Sequence, residues 1–253
     1  GLHATFRSKG TAAESAVTSG LGIGGPVVWV EPSVSALTKI SFSKINFLYG
    51  ISFTGGGGLK FVTTGNVHLT IDNCRFLQNY SGSSGNALGG GLFASITGGN
   101  SLTVRDSVFG DNRSDGQDPT SLAYGAGAYV NVDGPSGIRF ERVVFQSNQL
   151  STYGSTAAYG GGLYLEVRSG AVWVSDCTFT LNFATGPAST YSPGLGLYAA
   201  MTSNGSIELR RNVFAYNTGS WAGSLEGTQL ELRSFDNSSV YTGDTLVIYG
   251  SDG

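Results

Sequence analysis

The stretch GGGLYLEVRSGAVWVSDCTFTLN, residues 160–182, contains one full copy of the pattern that organises this chain. Apolar and polar residues alternate through Leu163–Val167, a glycine turn follows, and the alternation resumes at Val172–Val174 and at Cys177–Phe179. Alternation with a period of two is typical of β-strands that bury one face. The stretch therefore predicts three short strands separated by tight turns.

The pattern recurs at a nearly constant spacing along the chain. A Phe-x-x-Asn motif begins at five phenylalanines separated by 33, 36, 34 and 35 residues, which are Phe76, Phe109, Phe145, Phe179 and Phe214. A Gly-rich step followed by an aliphatic–aromatic pair precedes the motif in phase, at residues 89–93, 125–129, 160–164 and 194–198. An earlier copy at residues 56–60 has Lys60 in place of the aromatic residue. A period of this length indicates a repeat protein.

A unit of three short strands cannot bury its own apolar face, so neighbouring repeats must stack on one another. Aligned copies carry apolar residues at every inward position of all three strands. The sequence therefore predicts an all-β fold, a parallel β-helix or three-sheet β-solenoid of six to seven turns of roughly 34 residues, each rising about 4.8 Å. Right-handed winding is expected from the general rule for parallel connections.

The repeats predict a single β-helix domain over residues 1–253. Residues 1–25 form an irregular or partial first turn, 26–217 the regular turns and 218–253 a final partial turn. In the end regions we expect Ala4–Phe6 to be a third strand, Gln229–Arg233 a first strand and Thr245–Ile248 a second strand. No polar helix is predicted to cap either end, which indicates either a fragment of a longer protein or ends that stack on other copies.

Composition narrows the classes of function. The chain has 253 residues, 40 of them Gly, with 12% charged residues and a net charge of −3. No apolar run approaches the roughly 20 residues that span a bilayer, and no basic block favours nucleic acid. Two cysteines and two histidines are too few for a disulfide scaffold or a Cys/His zinc site. We therefore expect neither nucleic-acid binding nor membrane insertion by this segment.

Residues from about 27 to 217 resemble the right-handed parallel β-helix repeats of the pectin-lyase-like superfamily. The paired Gly-Gly-x-aliphatic and Phe-x-x-Asn motifs are similar to those of the chlamydial polymorphic outer-membrane proteins and of related surface β-helix proteins of bacteria and protists. This resemblance implies a secreted or surface-displayed module that serves adhesion or forms a coat and has no catalytic activity. It also implies an extracellular or cell-surface location.

The main functional hypothesis is a non-enzymatic extracellular structural or adhesive solenoid that assembles end to end into a filament or coat. Its expected partners are further copies of itself, other surface proteins and glycans. The alternatives are a carbohydrate-binding module, or a polysaccharide lyase or hydrolase, which would need clustered carboxylates or an Arg or Lys base on one outward face. Glu166 has only Asn131 and Ala200 beside it in the aligned repeats. No catalytic residue, cofactor or metal is therefore predicted.

An outward-facing aromatic column is the candidate ligand or interface site. We call it the aromatic ladder, and its members are Phe93, Tyr129, Tyr164 and Tyr198. Aromatic faces stack on sugars or form protein interfaces when they are exposed, although cross-strand stacking that only stabilises the sheet explains them too. A second outward stripe is predicted on the third strands, at Val108, Val144, Thr178 and Val213.

Four Asn-x-Ser sequences are candidate N-glycosylation sites in a secreted eukaryotic protein, at Asn79, Asn112, Asn204 and Asn237. Asn79 and Asn112 belong to the repeat motif, where the turn can engage their side chains. Asn204 and Asn237, which are predicted to lie in turns, are the better candidates.

Three smaller features complete the predictions. Cys74 and Cys177 fall in one inward column about 14 Å apart at ~4.8 Å per turn, beyond the roughly 7 Å that a disulfide bridges, so both are predicted to be free and buried.

The segment Asp111–Asp118 resembles a calcium loop but places Arg113 where an oxygen ligand is needed. A solvated turn is favoured there, and calcium binding stays open. Charges that alternate before the third strand are expected to fix the stacking register.

Overall fold

A computed structural model describes residues 2–7, 16–19, 25–31, 38–63, 66–154, 157–186, 192, 194–219, 230–234, 240–242 and 247–248. Every regular element in these ranges is a β-strand, and each strand pairs in parallel with the equivalent strand of the next turn. The predicted all-β parallel solenoid is therefore confirmed. It has about five turns of about 34 residues, slightly fewer than the six or seven expected.

The first and second strands of the turns belong to one sheet of 13 strands. Two long strands, Leu163–Ser175 and Leu197–Arg210, run through both positions and join the two halves. The other first strands are Val28–Val30, Leu59–Thr63, Leu92–Thr97, Ala128–Asp133 and Leu230–Ser234. The other second strands are Leu2–Arg7, Thr38–Ser43, Val67–Asp72, Ser101–Arg105, Gly137–Glu141 and Val240–Thr242.

The third strands form a separate sheet of eight strands. They are Ala16–Ser19, Ile45–Leu48, Arg75–Leu77, Val108–Gly110, Val144–Gln146, Thr178–Thr180, Val213–Ala215 and Val247–Ile248. The register places Val108, Val144, Thr178 and Val213 in one column, as predicted.

Two further sheets lie beyond the three strands predicted for each turn, in the segments that follow the third strands. One has six strands, Ile51–Ser52, Tyr80–Ser83, Arg113–Gly116, Gln149–Thr152, Phe183–Thr185 and Thr218–Gly219. The other has three, Ala87–Leu88, Ala123–Tyr124 and Ala158–Tyr159. Each turn therefore continues as ordered sheet beyond its Phe-x-x-Asn motif.

The strand assignments at the two ends need correction. Leu2–Arg7 pairs with Thr38–Ser43, so Ala4–Phe6 belongs to a second strand and not to a third. At the other end, Leu230 pairs with Leu197, which confirms the predicted first strand. Val247–Ile248 pairs with Val213–Phe214 and is a third strand, so the prediction of a second strand there is wrong. A short alternating segment without its neighbouring motifs fits more than one of the sheets, because alternation with a period of two is the same in the strands of each sheet.

A stack of phenylalanine rings forms the centre of the core. The first residue of each Phe-x-x-Asn motif and Phe47 are all fully buried, with ring centroids 4.4–5.0 Å apart and ring planes within 12° of parallel. Cys74 and Cys177 lie in the same core as free, buried thiols, as predicted. The repeated phenylalanine thus supplies one stacking contact between every pair of neighbouring turns.

The motif asparagines form a second internal ladder, which is buried from end to end. Its members are Asn79, Asn112, Asn148, Asn182 and Asn217. The side-chain nitrogen of Asn148 donates to the carbonyl oxygen of Phe109 in the turn before and to Oδ1 of Asn182 in the turn after, both at 2.9 Å. Its Oδ1 accepts from the backbone and side-chain nitrogens of Asn112. Each internal amide therefore joins three turns with all its hydrogen-bonding capacity used.

Two residues of each turn adopt the left-handed conformation without being glycine. One precedes the third strand, at Lys44, Asn73, Asp106, Arg142, Asp176 and Arg211. The other lies two residues after the buried phenylalanine of the third strand, at Tyr49, Gln78, Asp111, Ser147, Leu181 and Tyr216. Their φ values lie between 48° and 57°. These corners redirect the chain on both sides of the third strand, at a cost of roughly 1–2 kcal/mol for each residue with a Cβ.

The alternating charges pair between successive turns, as predicted. Arg105 lies 3.0 Å from Asp72, Arg142 lies 2.7 Å from Asp106, and Arg211 lies 2.7 Å from Asp176. All six side chains are partly exposed to solvent, so solvent screens each pair and its contribution to stability is small. Because each pair joins two successive turns, the ion pairs make a small contribution to the register in which the turns stack.

Candidate functional site

The aromatic ladder forms at the predicted positions and outside the phenylalanine core. Successive ring centroids are 5.4, 5.2 and 5.3 Å apart, and the planes lie within 10° of parallel. However, the expectation that the ladder presents an exposed stripe is wrong. Tyr129 and Tyr164 are each 8% exposed and Tyr198 is 3% exposed.

Two further tyrosines cover the ladder. Tyr124 lies across Tyr164 with 4.9 Å between ring centroids, and Tyr159 lies across Tyr198 with 5.0 Å. Both covering residues come from the three-stranded sheet, which is not among the strands predicted from the sequence. The ladder is therefore the inner layer of a second apolar cluster and offers little surface to a ligand.

A single carboxylate, that of Glu166, is hydrogen-bonded to this tyrosine cluster. The Tyr129 hydroxyl donates to its Oε2 at 2.9 Å, and the Arg168 guanidinium donates to its Oε1 at 2.8 Å. Asn131 and Ala200 flank it in the neighbouring turns, as the alignment predicted. Burial and the charge of Glu166 raise the pKa of Tyr129 far above its usual range. Burial raises the pKa of Tyr124 to about 12. The cluster thus holds neutral phenols around a carboxylate whose two oxygens are both engaged.

Lys60, the exception in the aromatic column, lies between two aromatic rings. Its Nζ is 4.7 Å from the ring centroid of Trp29 and 5.8 Å from that of Phe93. The same nitrogen donates to the backbone and side-chain oxygens of Thr54. A cation between two π faces replaces the missing ring and continues the column. Trp29 itself remains 58% exposed.

Two of the four candidate glycosylation sites are inaccessible in the folded chain. Asn79 and Asn112 are 1% and 0% exposed, and the asparagine ladder uses both of their amides. Asn204 lies within the strand Leu197–Arg210, opposite Ser169, and not in the turn that was predicted. The side chain of Asn204 and the whole of Asn237 lie outside the described residues.

The segment Asp111–Asp118 contains an ordered strand, so the prediction of a solvated turn is wrong for Arg113–Gly116. The Asp115 carboxylate accepts a hydrogen bond from Arg113 at 3.0 Å and another from the Tyr80 hydroxyl at 3.2 Å. The Arg113 guanidinium and the Tyr80 hydroxyl therefore both engage Oδ2 of Asp115. In the part of the chain that the structure describes, no three His, Cys, Asp or Glu side chains are grouped to hold a metal.

A concave surface that the sequence analysis missed lies on the outward face of the second strands. The residues around it are Arg139, Glu141, Trp173, Ser175, Glu208, Arg210 and Arg211, and the depression encloses about 310 Å³. A wider depression of about 620 Å³ lies over Ser136, Ser169, Gly170, Ala171 and Ser206. Trp173 lines the smaller depression, and the small residues Ala171 and Ser175 lie on either side of it along the strand. We call this surface the Trp173 groove. The feature of the sequence that could have indicated this surface is a single outward-facing tryptophan, Trp173, with small outward-facing residues on both sides of it in the strand.

The fold and these surfaces define the chain as a parallel β-solenoid of stacked turns. Comparison of the chain with protein-family models, curated proteins and solved structures found no match. Over the described ranges, no helix has the length and apolar character needed to cross a membrane.

Proposed function

We propose that this chain is a non-enzymatic structural and adhesive module of the cell surface or extracellular space, which associates end to end with other copies. The observation that carries this proposal is the continuity of the asparagine ladder and the phenylalanine stack through the turns. A fully satisfied internal ladder makes a stiff rod, and stiffness is what a spacer or coat element needs. The resemblance of its motifs to surface β-helix repeats supports the same role.

The pairing of the surface charges favours a structural role over acid–base chemistry. Six carboxylates of the outward faces have arginine partners, namely Asp72, Asp106, Glu141, Glu166, Asp176 and Glu208. A general base or nucleophile must be free to exchange a proton or attack a substrate. Carboxylates held by guanidinium groups instead serve as links between and along strands.

The outermost described strands supply surfaces for end-to-end association. Among the described strands, Leu2–Arg7 and Ala16–Ser19 at one end pair on one side only, as do Leu230–Ser234 and Val240–Thr242 at the other. A strand edge of this kind is a template for another chain. Contact between two different ends does not close on itself, so repeated association builds a filament.

The backbone pattern identifies the groups that such a contact would use. The N–H of Thr38 donates to Asn66 of the next turn, and Leu2 lies opposite Thr38. Alternate residues of a parallel strand bond to opposite neighbours, so the N–H of Thr5 points away from Thr38–Ser43, its described partner strand. The N–H of Leu59 also donates to the next turn, so the N–H of Leu232 points away from Leu197–Arg210, its described partner strand.

Proline at these two positions tests end-to-end association. Thr5→Pro and Leu232→Pro each remove one edge donor and leave the internal pairing of that strand intact. We expect the wild-type chain to form concentration-dependent rods by sedimentation velocity and negative-stain microscopy, and each variant to stay monomeric. Ser84→Pro, in an exposed loop, is the control and should assemble like the wild type. A wild-type chain that stays monomeric, or edge variants that assemble normally, would overturn this part of the proposal.

A further inference from the structure

Five tyrosines form one contiguous cluster on the outward side of the first strands. The aromatic ladder supplies Tyr129, Tyr164 and Tyr198, and the partly buried covering layer supplies Tyr124 and Tyr159. Tyr129 and Tyr164 stack with 5.2 Å between ring centroids. Tyr124 lies across Tyr164 at 4.9 Å and stacks on Tyr159 at 5.4 Å. Because each ring contacts the next, an electron can pass through the whole tyrosine cluster in short steps.

Stacking of the turns does not require the hydroxyl groups of these residues. Phe93 takes the first position of the ladder and stacks on Tyr129 with the ring planes 3° from parallel. The position of Glu166 is occupied by Asn131 in the turn before and by Ala200 in the turn after, so the fold does not require a carboxylate there either. The pairing of a phenol with a carboxylate is therefore an addition to the repeat and not part of its stacking pattern.

The Tyr129 hydroxyl and the Glu166 carboxylate are a proton donor and a proton acceptor in direct contact. The hydroxyl donates to Oε2 at 2.9 Å, inside the range of roughly 2.6–3.2 Å over which a positioned side chain takes up a proton. Arg168 donates to the other oxygen, Oε1, and so fixes the direction of the carboxylate. Tyr129 is almost completely buried, so the base that contacts its hydroxyl is the carboxylate and not bulk water.

This contact suits the loss of one electron from the phenol. A phenol that has lost an electron is a very strong acid and releases its hydroxyl proton to a base in contact with it. Before oxidation, burial and the charge of Glu166 raise the pKa of Tyr129, so the phenol keeps its proton. After proton transfer the phenol and the carboxyl group are both neutral, which avoids the cost of a buried charge. Water solvates the exposed Arg168 side chain when Glu166 is protonated.

We propose that the tyrosine cluster is a one-electron oxidation site in which Tyr129 carries the radical. A strong one-electron oxidant, such as a peroxyl radical or the high-valent haem of a peroxidase, takes an electron from Tyr124 or Tyr159 in the covering layer and is itself reduced. An electron from Tyr129 then fills the vacancy in that ring. The O–H bond of Tyr129 breaks, the proton binds to Oε2 of Glu166, and Tyr129 is left as a neutral phenoxyl radical. This inference goes beyond the structural role proposed above and does not depend on end-to-end association.

Photochemical oxidation of the full chain tests the inference. Flash excitation of a ruthenium polypyridyl complex, with a cobalt ammine as the electron acceptor, generates the trivalent ruthenium oxidant. The phenoxyl absorption band and rapid-freeze electron paramagnetic resonance identify the radical. We expect the folded wild type to hold a tyrosyl radical that outlasts the one formed in urea, and Tyr129→Phe to lose it. Glu166→Gln keeps a hydrogen-bonding oxygen but removes the base, so it should slow formation of the radical by about tenfold or more.

Tyr153→Phe is the matched control, because Tyr153 is 73% exposed and lies outside the tyrosine cluster. It should leave the yield and lifetime of the radical unchanged. Tyr129→Phe keeps the stacked ring, and the melting temperature of each variant checks that it is folded.

Three results would each overturn the inference. They are a wild-type radical that decays as fast as in urea, a radical that survives Tyr129→Phe or disappears in Tyr153→Phe, and formation in Glu166→Gln at the wild-type rate. None of these results affects the sedimentation test of end-to-end association.

Discussion

The side-chain nitrogen of Asn148 donates a 2.9 Å hydrogen bond to the side-chain oxygen of Asn182, one turn further along the solenoid. Because Asn148 also accepts from Asn112 in the turn before, the contact is one link of a continuous buried chain of amides. The last position of the Phe-x-x-Asn motif is therefore a structural requirement of stacking.

Replacing one internal member of this chain should strongly destabilise the fold. Asn148→Leu leaves the backbone and side-chain N–H groups of Asn112 without their acceptor and the carbonyl of Phe109 without its side-chain donor. Oδ1 of Asn182 keeps the backbone N–H of residue 148 as a donor. Unsatisfied buried groups cost about 1–3 kcal/mol each, so we expect a loss of at least about 3 kcal/mol in the free energy of unfolding. Urea denaturation followed by circular dichroism measures it. Gln146→Leu, at an exposed position of the same turn, should change stability by less than about 0.5 kcal/mol. Equal effects of the two substitutions would contradict the ladder's role.

The left-handed corners predict a stabilising substitution. Leu181 has a φ of 55° and is 48% exposed, so it carries backbone strain without burying much apolar area. Asparagine tolerates this conformation better than leucine, and we expect Leu181→Asn to raise stability by about 0.5 kcal/mol. Leu77→Asn, at a half-buried position within a strand, should lower stability in the same denaturation experiment. Destabilisation by both changes would rule out the strain argument.

The ion pairs between turns predict a defined pH dependence. Hydrogen bonds from Arg142 and Arg211 hold the pKa values of Asp106 and Asp176 below their ordinary value of 3.8 in the folded chain. Because these pKa values are lowered on folding, the pairs stabilise the fold above that pH, and the stabilisation is lost as the pH falls through the lowered values. The double variant Asp106→Asn/Asp176→Asn should unfold at lower urea than the wild type at about pH 7, with the difference shrinking as the pH falls below the ordinary aspartate pKa of 3.8. A difference that stays constant across this range would contradict the assignment.

The two thiols should be inert in the native chain. Burial raises the pKa of Cys74 to about 11 and that of Cys177 to about 12. Since the thiolate is the reactive form, neither thiol should react with a disulfide reagent at about pH 8 until the chain unfolds. Titration with Ellman's reagent should therefore detect no reactive thiol in buffer and two reactive thiols in urea. Fast reaction of either thiol in buffer would show that its site is open.

Much of the fold could be predicted because each turn repeats the same inward residues. The alignment of Phe145 with Phe179 and of Leu163 with Leu197 sets the register of the main sheets directly. The buried thiols follow from the same columns. Two of the three end strands were assigned to the wrong sheet, because no Phe-x-x-Asn motif indicates the sheet to which a segment such as Leu2–Arg7 belongs.

The candidate site was harder to predict, for two physical reasons. Strands of two residues, such as Ala123–Tyr124, are too short for a period of two to appear, so the layer that covers Tyr164 was missed. The Trp173 groove depends on neighbours in the turns before and after, among them Arg139 and Glu208, and not on any local motif. The left-handed corners were not predicted either, because arginine and leucine, found at Arg142 and Leu181, are not residue types that favour a positive φ.

Cryo-electron microscopy of the protein in a preparation from its native source tests the structural role most directly. The account predicts continuous fibres in which copies of this chain stack end to end, with strand rungs about 4.8 Å apart running unbroken across each junction. Isolated particles would contradict it. So would rungs that continue from this chain into another segment of the same polypeptide in place of a second copy.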